Sequence, residues 1–339
     1  MWTVFGQDHL LKRIESTLQQ RKQSHAYMLC GPPHVGKMAL ALNFTQALNC
    51  LEELGVPCGA CNQCSRIANG HHTDVRIVTP GYSEEGRSNR TTIGINDIKE
   101  GLRHVNLNPY EGSTSVVILD GAESMSDEAA NALLKTLEEP PPHVMFLLLA
   151  TNNESVLPTI RSRCQNMALH PLSKDLMIEL LVAEYQAKPA QAEQLFRLSQ
   201  GCMGWAIGAL EDPQILEQRQ ADLEKLQETL KSGLETRFIY ANEVATLFGK
   251  DRKAAKDLLA LWLHWWRDLL LIKEGADAFL HNEDHEESLK SQASSLNTIE
   301  ILKFINRLIQ TLSSLDSNAN PRLTMEVLML NLPIEASKV

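Results

Sequence analysis

A glycine-rich loop between an apolar run and a segment with helical spacing constrains the fold of this chain more than any other stretch. The apolar run covers residues 26–30, and the helical pattern begins at residue 39. The loop between them is Gly31-Pro32-Pro33-His34-Val35-Gly36-Lys37-Met38. A G-x-x-x-x-G-K spacing that follows a strand and opens a helix is typical of a phosphate-binding loop, and a chance glycine turn lacks that context. We expect backbone N–H groups and the helix N-terminus to surround phosphates, with Lys37 reaching the outer ones.

The same site lacks two groups that ATP hydrolysis needs. A Ser or Thr hydroxyl normally follows the lysine and holds Mg²⁺, but this chain has Met38 there. Asp120 ends a second apolar run and is placed to hold Mg²⁺, yet Gly121 follows it where a hydrolytic enzyme of this type carries a carboxylate base. We therefore expect a degenerate nucleotide site. One hypothesis is that ATP or ADP stays bound there as a structural ligand without turnover.

Apolar runs alternate with helical patterns through the first half of the chain and disappear after it. The runs at residues 74–78, 115–120 and 144–150 are typical of buried strands, and strands that alternate with helices predict a parallel α/β sheet. The pattern predicts an α/β domain over residues 1–170, a small helical domain over 171–211 and an all-α domain over 212–339. Residues 258–271 are apolar on nearly all sides, and three tryptophans among them indicate a core or an interface.

Four cysteines fall within fifteen positions inside the first domain. Cys50, Cys58, Cys61 and Cys64 form a C-x7-C-x2-C-x2-C pattern in an insertion over residues 50–64. Four thiolates at such spacings suit structural zinc, whose binding would supply the folding energy of so short an insertion. An iron–sulfur cluster, a redox cluster and free thiols are the alternatives. The neighbouring His71 and His72 are expected at the surface and not as ligands.

The composition excludes several classes of protein. The chain has 339 residues, 43% of them hydrophobic and 22% charged, and a net charge of −10. That charge argues against an independent, strongly basic DNA-binding protein. The start of the sequence carries no secretory signal, no run is long enough to cross a membrane, and the odd cysteine count argues against a disulfide framework. We expect a cytoplasmic protein with no membrane partner.

Several motifs together resemble the bacterial clamp-loader subunits of the AAA+ class. The resemblance rests on the loop, the four cysteines, Ala150-Thr151-Asn152, Ser162-Arg163-Cys164, and above all Asn131-Ala132-Leu133-Leu134-Lys135-Thr136-Leu137-Glu138-Glu139-Pro140-Pro141. It is specific over the first 210 residues. The last 120 are similar only through residues 267–270 and 320–323. The resemblance implies an α/β AAA+ phosphate-loop domain with a parallel sheet, a small helical lid and an all-α collar.

The resemblance also implies roles for individual residues. Thr151 and Asn152 match the first sensor, which contacts the γ-phosphate. Arg163 matches the arginine finger that one subunit offers to the ATP of its neighbour, although from the residues alone it would be a surface arginine at a helix end. Motor subunits carry a second-sensor arginine in a Gly-Ser-x-Arg pattern, whereas this chain has Gly204 at that place.

These departures favour a structural subunit over a motor. The resemblance implies a hetero-pentamer with the gamma/tau and delta subunits of DNA polymerase III, which loads the sliding clamp during DNA replication and through which the chain meets primer–template DNA indirectly. The chain would act there as a stator that offers Arg163 to a neighbouring ATPase. The alternative is an active AAA+ motor ATPase, which Lys37 and Asp120 favour and which Met38, Gly121 and Gly204 oppose.

Overall fold

The computed structural model describes residues 2–53, 55–83, 86–87, 91–105, 108–317 and 319–333. The chain divides into two compact units, Met1–Ile207 and Gly208–Val339. Within the described ranges, no helix combines the length and the apolarity that a membrane crossing requires.

Five parallel strands form the sheet of the first unit. Their spatial order is β2-β5-β6-β1-β7. These strands are β1 (Ala26–Cys30), β2 (Val75–Val78), β5 (Ser115–Asp120), β6 (Val144–Ala150) and β7 (Gln165–Ala168), and a short antiparallel pair comprises β3 (Tyr82–Ser83) and β4 (Gly86–Arg87). Every residue of β1 and of β6 is buried, as expected for a parallel sheet covered on both faces. The predicted parallel α/β class is confirmed.

Helices cover both faces of this sheet. They are α1 (Asp8–Gln19), α2 (Lys37–Asn49), α3 (Asn62–Ala68), α4 (Ile95–Val105), α5 (Asp127–Glu138) and α6 (Pro158–Arg161). Successive side chains of a strand point to opposite faces, so β1 contributes to two cores. Leu29 packs in the core that contains Leu40 and Phe44 of α2, and Met28 packs in the core that contains Leu133 of α5.

The strand register brings the carboxyl ends of three strands to one edge of the sheet. Cys30 of β1 pairs with Ala150 of β6, and Asp120 of β5 pairs with Leu149 of β6. The residues that follow these strands therefore meet at that edge, which is where parallel α/β sheets place their ligands.

Three further helices follow the sheet: α7 (Lys174–Ala183), α8 (Pro189–Ser199) and α9 (Met203–Glu211). The last four residues of α9 fall in the second unit. The Gln7 side chain donates to the His170 carbonyl oxygen (2.7 Å) and so ties the start of the chain to the segment before α7. The predicted separation of residues 1–170 from 171–211 stays a prediction.

The described part of the second unit is helical: α10 (Gln214–Lys231), α11 (Leu234–Lys250), α12 (Arg252–Lys273), α13 (Glu286–Ser295), α14 (Thr298–Asp316) and α15 (Pro321–Leu330). Trp262, Trp265 and Trp266 of α12 are completely buried in its core. Trp262 Nε1 donates to the Tyr240 hydroxyl (3.1 Å), and Trp265 Nε1 donates to Gln292 Oε1 (2.8 Å). Of the two roles predicted for this apolar segment, the structure supports that of a core.

Candidate functional site

The predicted phosphate-binding loop lies between β1 and α2, at the carboxyl edge of the sheet. The Gly31 N–H donates to the Ala150 carbonyl oxygen (3.2 Å), which fixes the start of the loop to β6. Gly36 precedes α2 with φ 107°, a conformation that only glycine adopts without strain. No side chain caps the N-terminus of α2. Its first backbone N–H groups are therefore suited to an anion.

The Lys37 ammonium group is bound to its own loop. Nζ donates to the carbonyl oxygens of Gly31 (2.6 Å) and Pro32 (2.9 Å). Burial lowers the pKa of Lys37, and the negative charges of Glu123 and Asp120 oppose that shift. A nucleotide phosphate would have to take the place of these two carbonyl groups.

Met38, the second residue of α2, is half-buried and packs against the core that contains Leu40 and Phe44. It therefore offers no hydroxyl to Mg²⁺ at the position after the lysine. Asp120 ends β5 at the same edge as the loop, and Gly121 follows in a left-handed turn with φ 81°. The structure thus brings the loop and Asp120 to one place, and both predicted departures from a hydrolytic site lie there.

Glu123 is an acid of this edge that the sequence analysis missed. A short 3₁₀ turn, Ala122–Ser124, brings it back so that its Oε1 accepts the Thr151 N–H (3.2 Å). Its other carboxylate oxygen, Oε2, is buried and has no hydrogen-bond partner in the described part of the chain. The sequence shows an acid three positions after Asp120, but only the 3₁₀ turn shows that Glu123 faces this site.

The two predicted sensor residues follow β6 and are exposed. Thr151 reaches the site through its backbone N–H, whereas Asn152 Oδ1 accepts the Ser155 N–H (2.7 Å) and stabilises the next turn. The sensor role of Thr151 and Asn152 stays a prediction.

The position expected to carry a second-sensor arginine is packed against the loop. The Gly204 N–H, near the start of α9, donates to the His34 carbonyl oxygen (2.9 Å). A Cβ atom at residue 204 would lie 2.8 Å from that oxygen. Only glycine permits this approach. At the position where an arginine was expected, α9 therefore contacts the loop directly.

Arg163 follows α6 and is partly exposed. Its Nη2 donates to Glu138 Oε1 (2.6 Å), and its Nη1 donates to the Thr159 carbonyl oxygen (2.9 Å) and to the Ser162 hydroxyl (3.2 Å). The side chains of Arg163 and Glu138 are 35% and 52% exposed, so another molecule can reach the guanidinium.

The four predicted metal ligands converge. The Sγ atoms of Cys50, Cys58, Cys61 and Cys64 all lie within 4.8 Å of one another. Tetrahedral zinc with bonds of about 2.3 Å would place its sulfurs about 3.8 Å apart, and Cys58 Sγ lies 3.9 Å from Cys64 Sγ. The Cys61 N–H points to Cys58 Sγ (3.2 Å) and the Cys64 N–H to Cys61 Sγ (3.5 Å). The donor set therefore fits a tetrahedral, thiolate-binding ion.

The thiols of this cluster differ in their electrostatics. Burial raises the pKa of Cys64 to about 12. Burial also opposes ionisation of Cys61, but backbone hydrogen bonds from Leu51 and Cys64 and side-chain hydrogen bonds with Cys58 and Cys64 together outweigh it, so the pKa of Cys61 is lowered. A bound cation would favour the thiolate form of both.

Polar contacts attach the cysteine cluster to the α/β domain. Gln46 Nε2 of α2 donates to the Cys64 carbonyl oxygen (2.8 Å), and Gln63 Nε2 of α3 donates to the Glu111 carbonyl oxygen (2.6 Å). His72 is buried and bonds to Gln63 Oε1, which corrects the expectation that it lies at the surface. Burial lowers the pKa of His72, while nearby Glu111 opposes the shift. His71 is exposed, as expected.

Comparison with known proteins identifies the family. A sequence model described as DNA polymerase III, delta subunit, matches residues 6–173, and a second, described as its C-terminal part, matches residues 213–333. The subunit delta' of DNA polymerase III from Bacillus subtilis is 28% identical over 326 residues, which cover 96% of each chain. The chain belongs to the clamp-loader family of DNA polymerase III subunits. The clamp-loader relatives also include delta' from Pseudomonas aeruginosa, 34% identical with 62% of each chain covered.

Subunits named tau and gamma occur among the relatives as well. The tau subunit of DNA polymerase III from Escherichia coli is 34% identical over 212 residues, which cover 60% of this chain and 31% of that protein. Among solved structures, a gamma subunit-related protein from Thermotoga maritima aligns with a TM-score of 0.49 and 19% identity over 94% of this chain and 97% of that one.

Proposed function

We propose that this chain is a stator of the clamp loader, a subunit of the delta' type that holds the assembly together without hydrolysing ATP. The observation that carries the proposal is the state of the predicted phosphate-binding loop at Lys37 and Met38. Its lysine is bound to the Gly31 and Pro32 carbonyl oxygens, and no hydroxyl follows the lysine to hold Mg²⁺. Gly121 in place of a base and Gly204 in place of an arginine support the same conclusion.

In this proposal Arg163 acts on the nucleotide of a neighbouring subunit. Its guanidinium is partly exposed and held by Glu138, Thr159 and Ser162, which suits a group that another protein must reach. Arginine fingers supplied in trans contribute about 10³–10⁵-fold to kcat in related phosphoryl transfers, because they stabilise charge that develops in the transition state.

The cysteine cluster would hold structural zinc. Four thiolates close the coordination sphere and leave no position for a substrate or water, so Cys50, Cys58, Cys61 and Cys64 would stabilise the insertion and not take part in catalysis.

A nucleotide retained without turnover is compatible with this role. The uncapped N-terminus of α2 offers backbone N–H groups that bind phosphate without a hydroxyl at residue 38. When bound, ATP or ADP would act only as a structural ligand that stabilises the loop. Lys37 would first have to leave the Gly31 and Pro32 carbonyl oxygens.

The proposed partners are the gamma/tau and delta subunits in a hetero-pentamer, the sliding clamp, and primer–template DNA through the assembly. Relatives named tau and delta' over large parts of the chain support these partners. A cytoplasmic location belongs to the same proposal, since none of the described cysteines forms a disulfide bond.

An active motor ATPase is the second candidate, and Glu123 favours it. Its carboxylate lies at the site edge against the Thr151 N–H and provides an acid that Gly121 does not. Met38 still opposes this candidate, because it leaves Mg²⁺ without the ligand that normally follows the lysine.

The test is the ATPase rate of the reconstituted assembly with Arg163→Ala. We expect the clamp- and DNA-stimulated kcat to fall at least about tenfold, while gel filtration shows intact assembly. Arg161→Ala, two residues earlier in α6, is the control and is expected to leave the rate unchanged. An unaltered rate for Arg163→Ala would refute the role in trans.

A further inference from the structure

Three groups hold the guanidinium of Arg163. Two of them, the Thr159 carbonyl oxygen and the Ser162 hydroxyl, belong to the turn that leads into Arg163 itself. The third is the carboxylate of Glu138, which lies 25 residues earlier at the end of α5. Of these three anchors, only Glu138 comes from another element and carries a charge, so it is the one that fixes Arg163 relative to the α/β domain.

The anchors leave part of the guanidinium open. They engage the two Nη groups, and the Nε–H of Arg163 has no hydrogen-bond partner within the described ranges. A guanidinium offers five N–H donors in a planar fork that suits phosphate oxygens. A phosphate can therefore approach the open donors while Glu138 still holds the plane of the group.

We propose that Glu138 is a positioning residue for Arg163, which keeps the guanidinium ordered before it meets the nucleotide of the neighbouring subunit. This inference rests on the proposed function of Arg163 in trans. A free arginine loses rotamer freedom when it docks, and anchoring removes part of that loss in advance. An exposed ion pair is weak, so the pair does not prevent the small shifts that docking requires.

The test is a double-mutant cycle in the reconstituted assembly. We expect Glu138→Ala to lower the kcat of the stimulated ATPase about two- to fivefold, the range that an exposed ion pair corresponds to, with KM for ATP unchanged. In the Arg163→Ala background, Glu138→Ala is expected to have no further effect, because it acts through Arg163. Glu138→Gln keeps the shape of the side chain and an acceptor oxygen, so we expect it to lower kcat less than Glu138→Ala does.

Glu139→Ala is the matched control. Glu139 is the next residue, is also exposed, and its side chain makes no ion pair within the described residues. It is expected to leave kcat unchanged.

The outcomes separate the two proposals. If Arg163→Ala lowers kcat and Glu138→Ala does not, the positioning role is refuted and the role of Arg163 stands. If Glu138→Ala lowers kcat equally with and without Arg163, Glu138 acts elsewhere and the inference is also refuted. If Arg163→Ala has no effect, the proposed function is refuted, and the positioning role with it.

Discussion

The backbone N–H of Gly204 donates a hydrogen bond to the carbonyl oxygen of His34, 2.9 Å away, although 169 positions separate the two residues. This contact joins α9 directly to the phosphate-binding loop. The resemblance to clamp-loader motor subunits predicts a second-sensor arginine near this position, and this chain has the contact between Gly204 and His34 there.

Gly204→Ala is expected to destabilise the first unit. The added Cβ would lie 2.8 Å from the His34 oxygen, a backbone atom that cannot move without distorting the loop. We expect a loss of about 1–3 kcal/mol in the free energy of unfolding, the usual cost of overpacking, measured by urea denaturation. Gly249→Ala in α11 is the control, because a Cβ there meets nothing within 4 Å. It should be neutral or stabilise the chain by about 0.5–1 kcal/mol. Equal stability of Gly204→Ala and the wild type would contradict the close packing.

The purified chain is expected to contain stoichiometric zinc, which inductively coupled plasma mass spectrometry can measure. Cys61→Ser should lose most of the metal, because it removes one of four converging thiolates. Cys202→Ala, a cysteine outside the cluster, should retain it. Iron with a visible absorbance band would instead support a cluster of iron and sulfur, and metal content unaffected by Cys61→Ser would exclude the site.

Glu123→Gln is expected to strengthen nucleotide binding. The variant removes a negative charge that lies near Lys37 and has one buried oxygen without a described partner. We expect the Kd for ATP to fall about tenfold, which corresponds to roughly 1.4 kcal/mol, as measured by titration calorimetry. Glu154→Gln, an exposed acid beyond β6, should leave the Kd unchanged. Weaker binding in Glu123→Gln would instead indicate that Glu123 helps to hold a nucleotide with Mg²⁺.

The second unit is expected to lose stability in mild acid. Burial lowers the pKa of His264, Arg267 and Arg219 act in the same direction, and Asp268 opposes them. The unfolded chain therefore takes up this proton first, near pH 6.5. The contribution of neutral His264 to the free energy of unfolding is therefore fully present above pH 6.5 and is lost as the pH falls below that value.

Urea unfolding followed by tryptophan fluorescence at pH 7.5 and pH 5.5 checks this expectation. His264→Phe keeps a ring that can stack on His281, whose ring centroid lies 4.4 Å away, but it cannot titrate. The loss of stability between the two pH values should be smaller in this variant than in the wild type. An equal loss would assign the pH dependence to other groups, such as His285, whose pKa burial also lowers.

Local patterns predicted much of this fold and site. The apolar runs indicated the strands, because strands of a parallel sheet are buried on both faces. The spacing of Gly31, Gly36 and Lys37 indicated the loop, and the spacing of the four cysteines indicated a cluster, because in each case neighbouring residues form the site.

Contacts between distant segments were not predictable in the same way. His72 is buried because Gln63 of α3 and the Glu111 segment close over it, and neither contact is visible in the pattern around residue 72. The position of Glu123 depends on a single 3₁₀ turn. The pairing of Arg163 with Glu138 depends on where α5 ends relative to α6, which the sequence does not specify locally.

The most direct test of the stator account is ATP turnover by the purified chain alone, with radiolabelled ATP and Mg²⁺. The account predicts no phosphate release above the background of the buffer, whether or not nucleotide is found bound to the chain. Turnover of about 1 s⁻¹ or more, in the range of working enzymes, that disappears in Lys37→Ala would contradict the account and make this chain a motor.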